Sequence, residues 1–149
     1  VKKLSHVNKK GEAHMVDVGA KPVIARSATA EATLVCAAET VRLLKKRALP
    51  KGDVLAVARI AGIQAAKQTA SLIPLCHLLP LDAVDLEFSI KPRCVRVVCT
   101  VRTRAGTGVE MEALTAAAVA ALTLYDMCKA VDKNMQVEGV GVLEKKKGS

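Results

Sequence analysis

VDLEFSIKPRCVRVVCTV occupies Val84 to Val101. Val84, Leu86, Phe88 and Ile90 alternate with Asp85, Glu87, Ser89 and Lys91, and past Pro92-Arg93 the apolar positions resume at Val95, Val97, Cys99 and Val101. A period of two marks strands with one buried and one wet face, and a short turn between two such runs makes an antiparallel β-hairpin. The rest of the chain must be arranged around that sheet. Upstream, Pro22 to Val35 sets small and apolar residues against Arg26, Thr29, Glu31 and Thr33, which reads as a long strand, with its alanine content leaving a helix open. A helix over Ala37 to Arg47 is expected next. Gly52-Asp53 then supplies a break and an N-cap for a helix from about Val54 to Ile73, stopped by Pro74. Downstream, the Gly106-Thr107-Gly108 turn opens a long alanine-rich helix, and a last strand is expected near Met135 to Leu143. This order predicts an α+β sandwich of ferredoxin-like type, an antiparallel sheet with helices packed on one face. With no repeat and no linker, residues 1–21 read as a polar N-terminal arm and residues 22–149 as a single domain.

Composition removes several function classes. A chain of 149 residues, 51% of them hydrophobic, fits one ordinary domain with an ample core. Arg59, Gln64, Lys67 and Asp126 interrupt the longest apolar runs below the roughly 18 residues of a membrane span, so no membrane role is expected. VKKLSHVNKKGEAH has charge but no apolar core of a secretory signal. Cys36, Cys76, Cys94, Cys99 and Cys128 are odd in number and never spaced C-x-x-C, which argues against a disulfide framework or a zinc knuckle. A reducing, cytoplasmic setting and no resident metal are the expectations. The net charge of +9 asks for a negatively charged partner. Phe88 and Tyr125 are the only aromatic residues, too few for the base-stacking platform of a nucleic-acid binder, and no groove-reading motif is present. That weakens the nucleic-acid reading, and an anionic surface and a phosphorylated small molecule stay open.

Candidate chemistry gathers in three places. In GVEMEALTAAAVAALTLYDMCKA, Gly108 to Ala130, helical spacing puts Leu114, Ala117, Ala118, Ala121, Tyr125 and Cys128 on one apolar stripe expected to lie on the sheet. Glu112, Asp126 and Lys129 fall on a neighbouring side that also carries Thr115, Val119 and Leu122. Asp126 and Lys129 make either an ordinary i,i+3 surface pair, the usual case in a helix, or a functional one, and the apolar neighbours weaken the surface reading. Glu112 and Asp126 are roughly 21 Å apart along a continuous helix, too far for one small ligand, so if both ends are functional they serve different copies of a site or one site is completed by a second subunit. The second place is IPLCHLLPL, Ile73 to Leu81, where prolines stiffen a loop carrying Cys76 and His77. Adjacent Cys and His lack the third group of a nucleophile and base pair, which disfavours thiol chemistry. The third is Lys51, just before a helix N-terminus, where side-chain charge and helix dipole both attract phosphate. AGTG at Ala105 to Gly108 is too short for a phosphate loop and reads as a turn.

The stretches MVDV (Met15 to Val18), KGDVLAVARIAGIQAAK (Lys51 to Lys67), LIPLCH (Leu72 to His77) and TGVEMEALTAAAVAALTLYDMCKAV (Thr107 to Val131) resemble the molybdenum cofactor biosynthesis protein C (MoaC) family, the cyclic pyranopterin monophosphate synthases. The resemblance runs in register over nearly the whole chain. It implies a lyase of the first stage of molybdopterin synthesis. Such an enzyme takes the cyclised dihydro-GTP made by a radical S-adenosylmethionine GTP cyclase, rearranges it to cyclic pyranopterin monophosphate and releases pyrophosphate. It also implies a ferredoxin-like fold and a homohexamer, a trimer of dimers, with sites at subunit interfaces.

Residue by residue, the resemblance places acid/base chemistry at Asp126 and Lys129, with Lys51 as a further catalytic lysine. Leu75, Cys76, His77, Glu110, Met111 and Glu112 would bind substrate, and Arg26 and Lys145 would meet phosphate. Coupled Asp126 and Lys129 suit the proton transfers, and cations suit the departing pyrophosphate. Lys51 and Asp126 are the pair to be tested as coming from different chains. No cofactor is implied beyond magnesium, left open as a companion of the triphosphate. Two departures stand out: Leu78 replaces the proline that follows the histidine in the family, and the tail EKKKGS offers Lys145, Lys146 and Lys147 for one role, with Lys145 chosen by register. The rivals are a basic nucleic-acid-binding domain, whose affinity would fall steeply with salt, and a catalytically silent subunit. The joint presence of Lys51, His77, Glu112, Asp126 and Lys129 opposes the second.

Overall fold

The computed structural model describes residues 4–148. Its first strand, β1 (Ile24–Val35), pairs antiparallel with β3 (Cys94–Ala105) along its whole length, from Ile24 opposite Ala105 to Val35 opposite Cys94. The expected hairpin joins β2 (Ala83–Lys91) to β3, with Val84 opposite Val101 and Ile90 opposite Val95. On the other side of β1 lies β4 (Gln136–Lys147), giving the order β2-β3-β1-β4 with every neighbour antiparallel. Because β1 and β2 both oppose β3, they run parallel with a strand between them; the same holds for β3 and β4 around β1. These are two interleaved split βαβ units, the ferredoxin-like arrangement the sequence predicts.

The crossovers are α1 (Ala38–Lys45), α2 (Val54–Lys67) and α3 (Thr69–Leu72) in the first unit, and α4 (Glu110–Cys128) in the second. Alternation decides which face they cover. Ala28, Ala30, Ala32 and Leu34 of β1 and Val95, Val97, Cys99 and Val101 of β3 point to the helix side and are buried. The opposite face carries polar cross-strand partners: Thr29 and Thr100 hydroxyls 2.9 Å apart, Arg96 with Glu31 at 3.0 Å, and Arg102 with Asp85 at 3.1 Å. Among the described helices, α4 alone has the length and apolar content of a membrane span, yet half of it is buried against β1, β3 and α2, as a core helix.

Several boundaries differ from the reading of the sequence. The helix expected over Val54 to Ile73 breaks at Gln68, where φ is −105°; the Thr69 hydroxyl donates to the carbonyls of Ala65 and Ala66, each at 3.0 Å, and α3 restarts the turn. The last strand runs four residues beyond Leu143, because β1 continues to offer partners as far as Arg26. The buried side of α4 is centred on Ala113, Ala116, Ala120, Leu124 and Met127, and Leu114, Ala118 and Tyr125 are only partly covered. A single stripe assumes one neighbour, and α4 has two, the sheet and α2.

The approach of α2 to α4 depends on Gly62. A Cβ there would sit 2.5 Å from Leu86 Cδ2 and 3.2 Å from the carbonyl oxygen of Ala116. Gly62→Ala is therefore expected to lower the free energy of unfolding by up to about 2 kcal/mol, an overpacking cost of about 1–3 kcal/mol less a helix-propensity gain of about 1 kcal/mol. A denaturant melt showing a more stable variant would mean that the helix-to-helix spacing is slack.

Candidate active site

Two clusters form at the two ends of α4. At its C-terminal end, Asp126 is the hub: Lys129 Nζ lies 3.0 Å from Oδ1, and Lys51 Nζ lies 3.2 Å from Oδ2 and 3.1 Å from the Asp126 carbonyl. Local chain chemistry explains the meeting. Gly52, at φ +91°, turns the chain, Asp53 Oδ1 accepts the Ala56 amide at 3.2 Å to cap α2, and α2 packs antiparallel on α4, so the lysine before one helix meets the last turn of the other. Just beyond, the buried Asp132 carboxylate accepts from the Ala37 amide at 2.9 Å, the Thr40 hydroxyl at 2.7 Å and the Asn134 amide at 3.2 Å. It supplies the cap that Ala37 lacks for α1 and ties down the chain leaving Lys129. Lys129 and then Lys51, hydrogen-bonded to it, hold the Asp126 carboxyl below the usual carboxylate range.

The N-terminal end of α4 is built differently. Glu110, Met111 and Glu112 form its first turn, facing the loop of Leu75, Cys76 and His77. Two open cavities of about 250 and 290 Å³ adjoin there, sharing Thr107, Gly108 and Glu110. The Glu110 side chain folds back over Gly108 so closely that a Cβ at that position would strike its carboxylate. Glu112 is only 5% exposed, and burial raises its carboxyl above the ordinary range, with Glu110 adding to the effect and its own backbone N–H opposing it. Burial, and then Glu112 and Glu110, also raise the Cys76 thiol, which fits the expectation against thiol chemistry.

The second cavity is cationic on its far wall. Arg26 donates from Nε to the Ala105 carbonyl at 3.2 Å and from Nη2 to that of Gly106 at 3.4 Å, which fixes it beside the start of α4. The register of β4 sorts the three competing lysines. Lys145 and Lys147 stand opposite Ala28 and Arg26 on the helix-side face, whereas Lys146, opposite Ser27, turns to the other face and pairs with Glu144 at 3.3 Å. All three lysines border this cavity, and Lys145 and Lys147 share the helix-side face.

One expectation fails. Lys51 and Asp126, offered as a pair from different chains, contact one another within a single chain. The separation argument concerns the two ends of α4, and Lys51 belongs to the same end as Asp126. Sequence reading also missed the arm. Ser5, His6, Val16, Val18 and Lys21 line the first cavity, and His77 Nε2 lies 2.6 Å from the Val16 carbonyl oxygen. Nothing in the spacing of these residues announces a contact across 61 positions.

The family model for MoaC matches residues 15–148, from MVDV through the lysines of β4. The chain belongs to the MoaC family. Among its relatives, the cyclic pyranopterin monophosphate synthase of Chloroflexus aggregans is 53% identical over 150 residues, spanning 99% of this chain and 91% of that protein. The synthase of the same name from Chloroflexus aurantiacus is 54% identical over 147 residues, 97% of this chain and 90% of its own length. A molybdenum cofactor biosynthesis bifunctional protein of Chlorobaculum tepidum is 54% identical over 136 residues, 91% of this chain but 44% of the longer protein.

In this MoaC chain the buried Glu112 carries a testable signature. A carboxyl whose folded pKa is raised binds more protons folded than unfolded, so its cost to stability is absent below the unfolded pKa and grows as pH rises through the folded one. Glu112→Gln is thus expected to melt higher than the parent at pH 7, with the difference shrinking toward about pH 4.5. A pH-independent difference in melting temperature would show a carboxyl already solvated.

Proposed function

We infer that this chain is a cyclic pyranopterin monophosphate synthase, a lyase of molybdenum cofactor biosynthesis that rearranges cyclised dihydro-GTP and releases pyrophosphate. The observation that carries the reading is the Lys51–Asp126–Lys129 cluster, in which one carboxylate aligns two ammonium groups. Forming the cyclic phosphate needs a substrate hydroxyl to attack the α-phosphorus while the bond to the β-phosphate breaks. The hydroxyl proton must leave, and the electron pair departs with pyrophosphate. Two aligned cations stabilise the charge gathering on that leaving group. Asp126, held low, serves first as their anchor; it gains basicity when substrate phosphate draws the lysines toward itself. Glu112, raised by burial, is of the two carboxyls the one better suited to carry a proton. Leu75, Cys76, His77, Glu110 and Met111 shape the wall for the purine-derived ring, and Arg26 with Lys145 receives phosphate.

One chain holds the halves of this machinery at opposite ends of a 19-residue helix. The site is completed by a second copy, within a homohexamer built as a trimer of dimers. Exposed Val57 and Ile60 on α2 and Leu122 on α4, 44%, 59% and 56% accessible, support an apolar contact between copies. The substrate comes from a radical S-adenosylmethionine GTP cyclase in the cytoplasm, with magnesium as the metal compatible with its triphosphate. Residues 22–149 act as one domain onto which the preceding arm folds.

Incubating the protein with cyclised dihydro-GTP should yield pyrophosphate and the pterin product, and Asp126→Asn should lower turnover by about 10²-fold or more with fold and assembly intact. Near-normal turnover would return Asp126 to the status of a surface ion pair.

Mixing inactive Asp126→Ala and His77→Ala chains should restore part of the activity, because one intact site can assemble from the unaltered halves. No recovery after verified subunit exchange would remove the shared-site claim.

A further inference from the structure

The MVDV stretch is long in sequence signal and short in assigned chemistry: none of its side chains is placed among the reacting groups. Its main chain, however, reaches His77. The Val16 carbonyl oxygen lies 2.6 Å from Nε2 of that ring. A carbonyl oxygen only accepts, so Nε2 is the nitrogen that carries the proton. Among the described residues Nδ1 has no hydrogen-bond partner, and it is not sealed from solvent. The ring forms part of the same cavity wall as Glu110 and Glu112.

We propose that the Val16 main chain is the positioning group for His77, fixing the Nε2–H tautomer so that Nδ1 presents its lone pair to the substrate. The neutral ring then accepts a proton or hydrogen bond at Nδ1, and the imidazolium so formed keeps its Nε2–H on the carbonyl, with the carboxylates of Glu110 and Glu112 on the same wall. The arm is itself braced. Asp17 Oδ1 accepts the Gly19 amide at 2.8 Å, the Lys21 amide donates to the Val18 carbonyl at 3.0 Å, and Gly106 leaves room for the passing chain. A Cβ on Gly106 would lie 3.3 Å from the Val18 oxygen and 3.5 Å from Lys21 Cβ. The arm therefore acts through His77 as well as by walling the cavity. The contact between arm and ring stands on geometry alone, whereas the proton transfer rests on the synthase reading.

The experiment separates the two. Nitrogen NMR of protein labelled at histidine, with the His77 signals assigned by their loss in His77→Gln, reads the tautomer without any substrate. A pyrrole-type Nε2 and a pyridine-type Nδ1 in the neutral ring are expected. The reverse pattern, or an even mixture, overturns the proposal. Hydrogen exchange of residues 15–21 tests the latch. His77→Gln, whose amide nitrogen falls near the place of Nε2, should keep the segment protected, and His77→Asn, whose amide reaches only the place of Nδ1, should expose it by at least about tenfold in exchange rate. Equal protection in the two variants overturns the latch. With substrate, His77→Gln should lower kcat by about 10²-fold with KM changed little, because the wall is kept and the acceptor lost; a KM effect alone overturns the Nδ1 role. Failure of the parent protein to turn over cyclised dihydro-GTP would count against the synthase reading and leave the tautomer result standing.

Discussion

The close seating of α4 on β1 governs the rest of the molecule. Ala28, Ala30 and Ala32 of β1 and Ala113, Ala116, Ala117, Ala120 and Ala121 of α4 are all buried, so small side chains make up most of the two surfaces that pack together. Such a contact gains little per residue from area and much from the density with which small groups interlock. It also tolerates little enlargement, and Gly62 imposes the same limit where α2 meets α4. A helix so held cannot slide or tilt freely. Its two ends, about 28 Å apart for 19 residues, become fixed points to which the functional groups are attached.

The two ends present opposite electrostatics. At the C-terminal end, two lysines surround one exposed carboxylate and keep it ionised; at the N-terminal end, a carboxylate is buried beside another and drawn toward its neutral form. Groups of the same chemical type pushed in opposite directions are what acid and base steps in one reaction require. The excess of positive charge is not spread evenly. Arg26, Lys145 and Lys147 stand at the neutral-leaning end, and Lys51 and Lys129 at the ionised one, so each end of α4 offers cations to an anion.

Much of this was legible in the residues. The alternation through Val84 to Val101, the turn at Pro92-Arg93 and the caps at Gly52-Asp53 act locally, over distances that sequence spacing measures directly. They yield the strands, the helices and the ferredoxin-like order. The separation of Glu112 from Asp126 is equally local, because helix rise converts residue count into length. The readings that failed depend on neighbours from elsewhere in the chain. The broader buried side of α4 and the extension of β4 to Lys147 arise from what packs against each segment.

By itself, then, the sequence determined the periodic elements, the separation of the carboxylates at the two ends of one helix, and, through its long family stretches, the candidate residues. Tertiary structure alone decided their company. Lys51 joins Asp126 because α2 runs back along α4, Lys147 rather than Lys146 shares the helix-side face with Lys145 because strand register sets the face, and Val16 reaches His77 because the arm folds over the Gly106 turn. The physical reason is common to all three. Spacing along the chain reports angles and lengths within one element, whereas which atoms meet is fixed by how separate elements pack, and that depends on every side chain in the core at once.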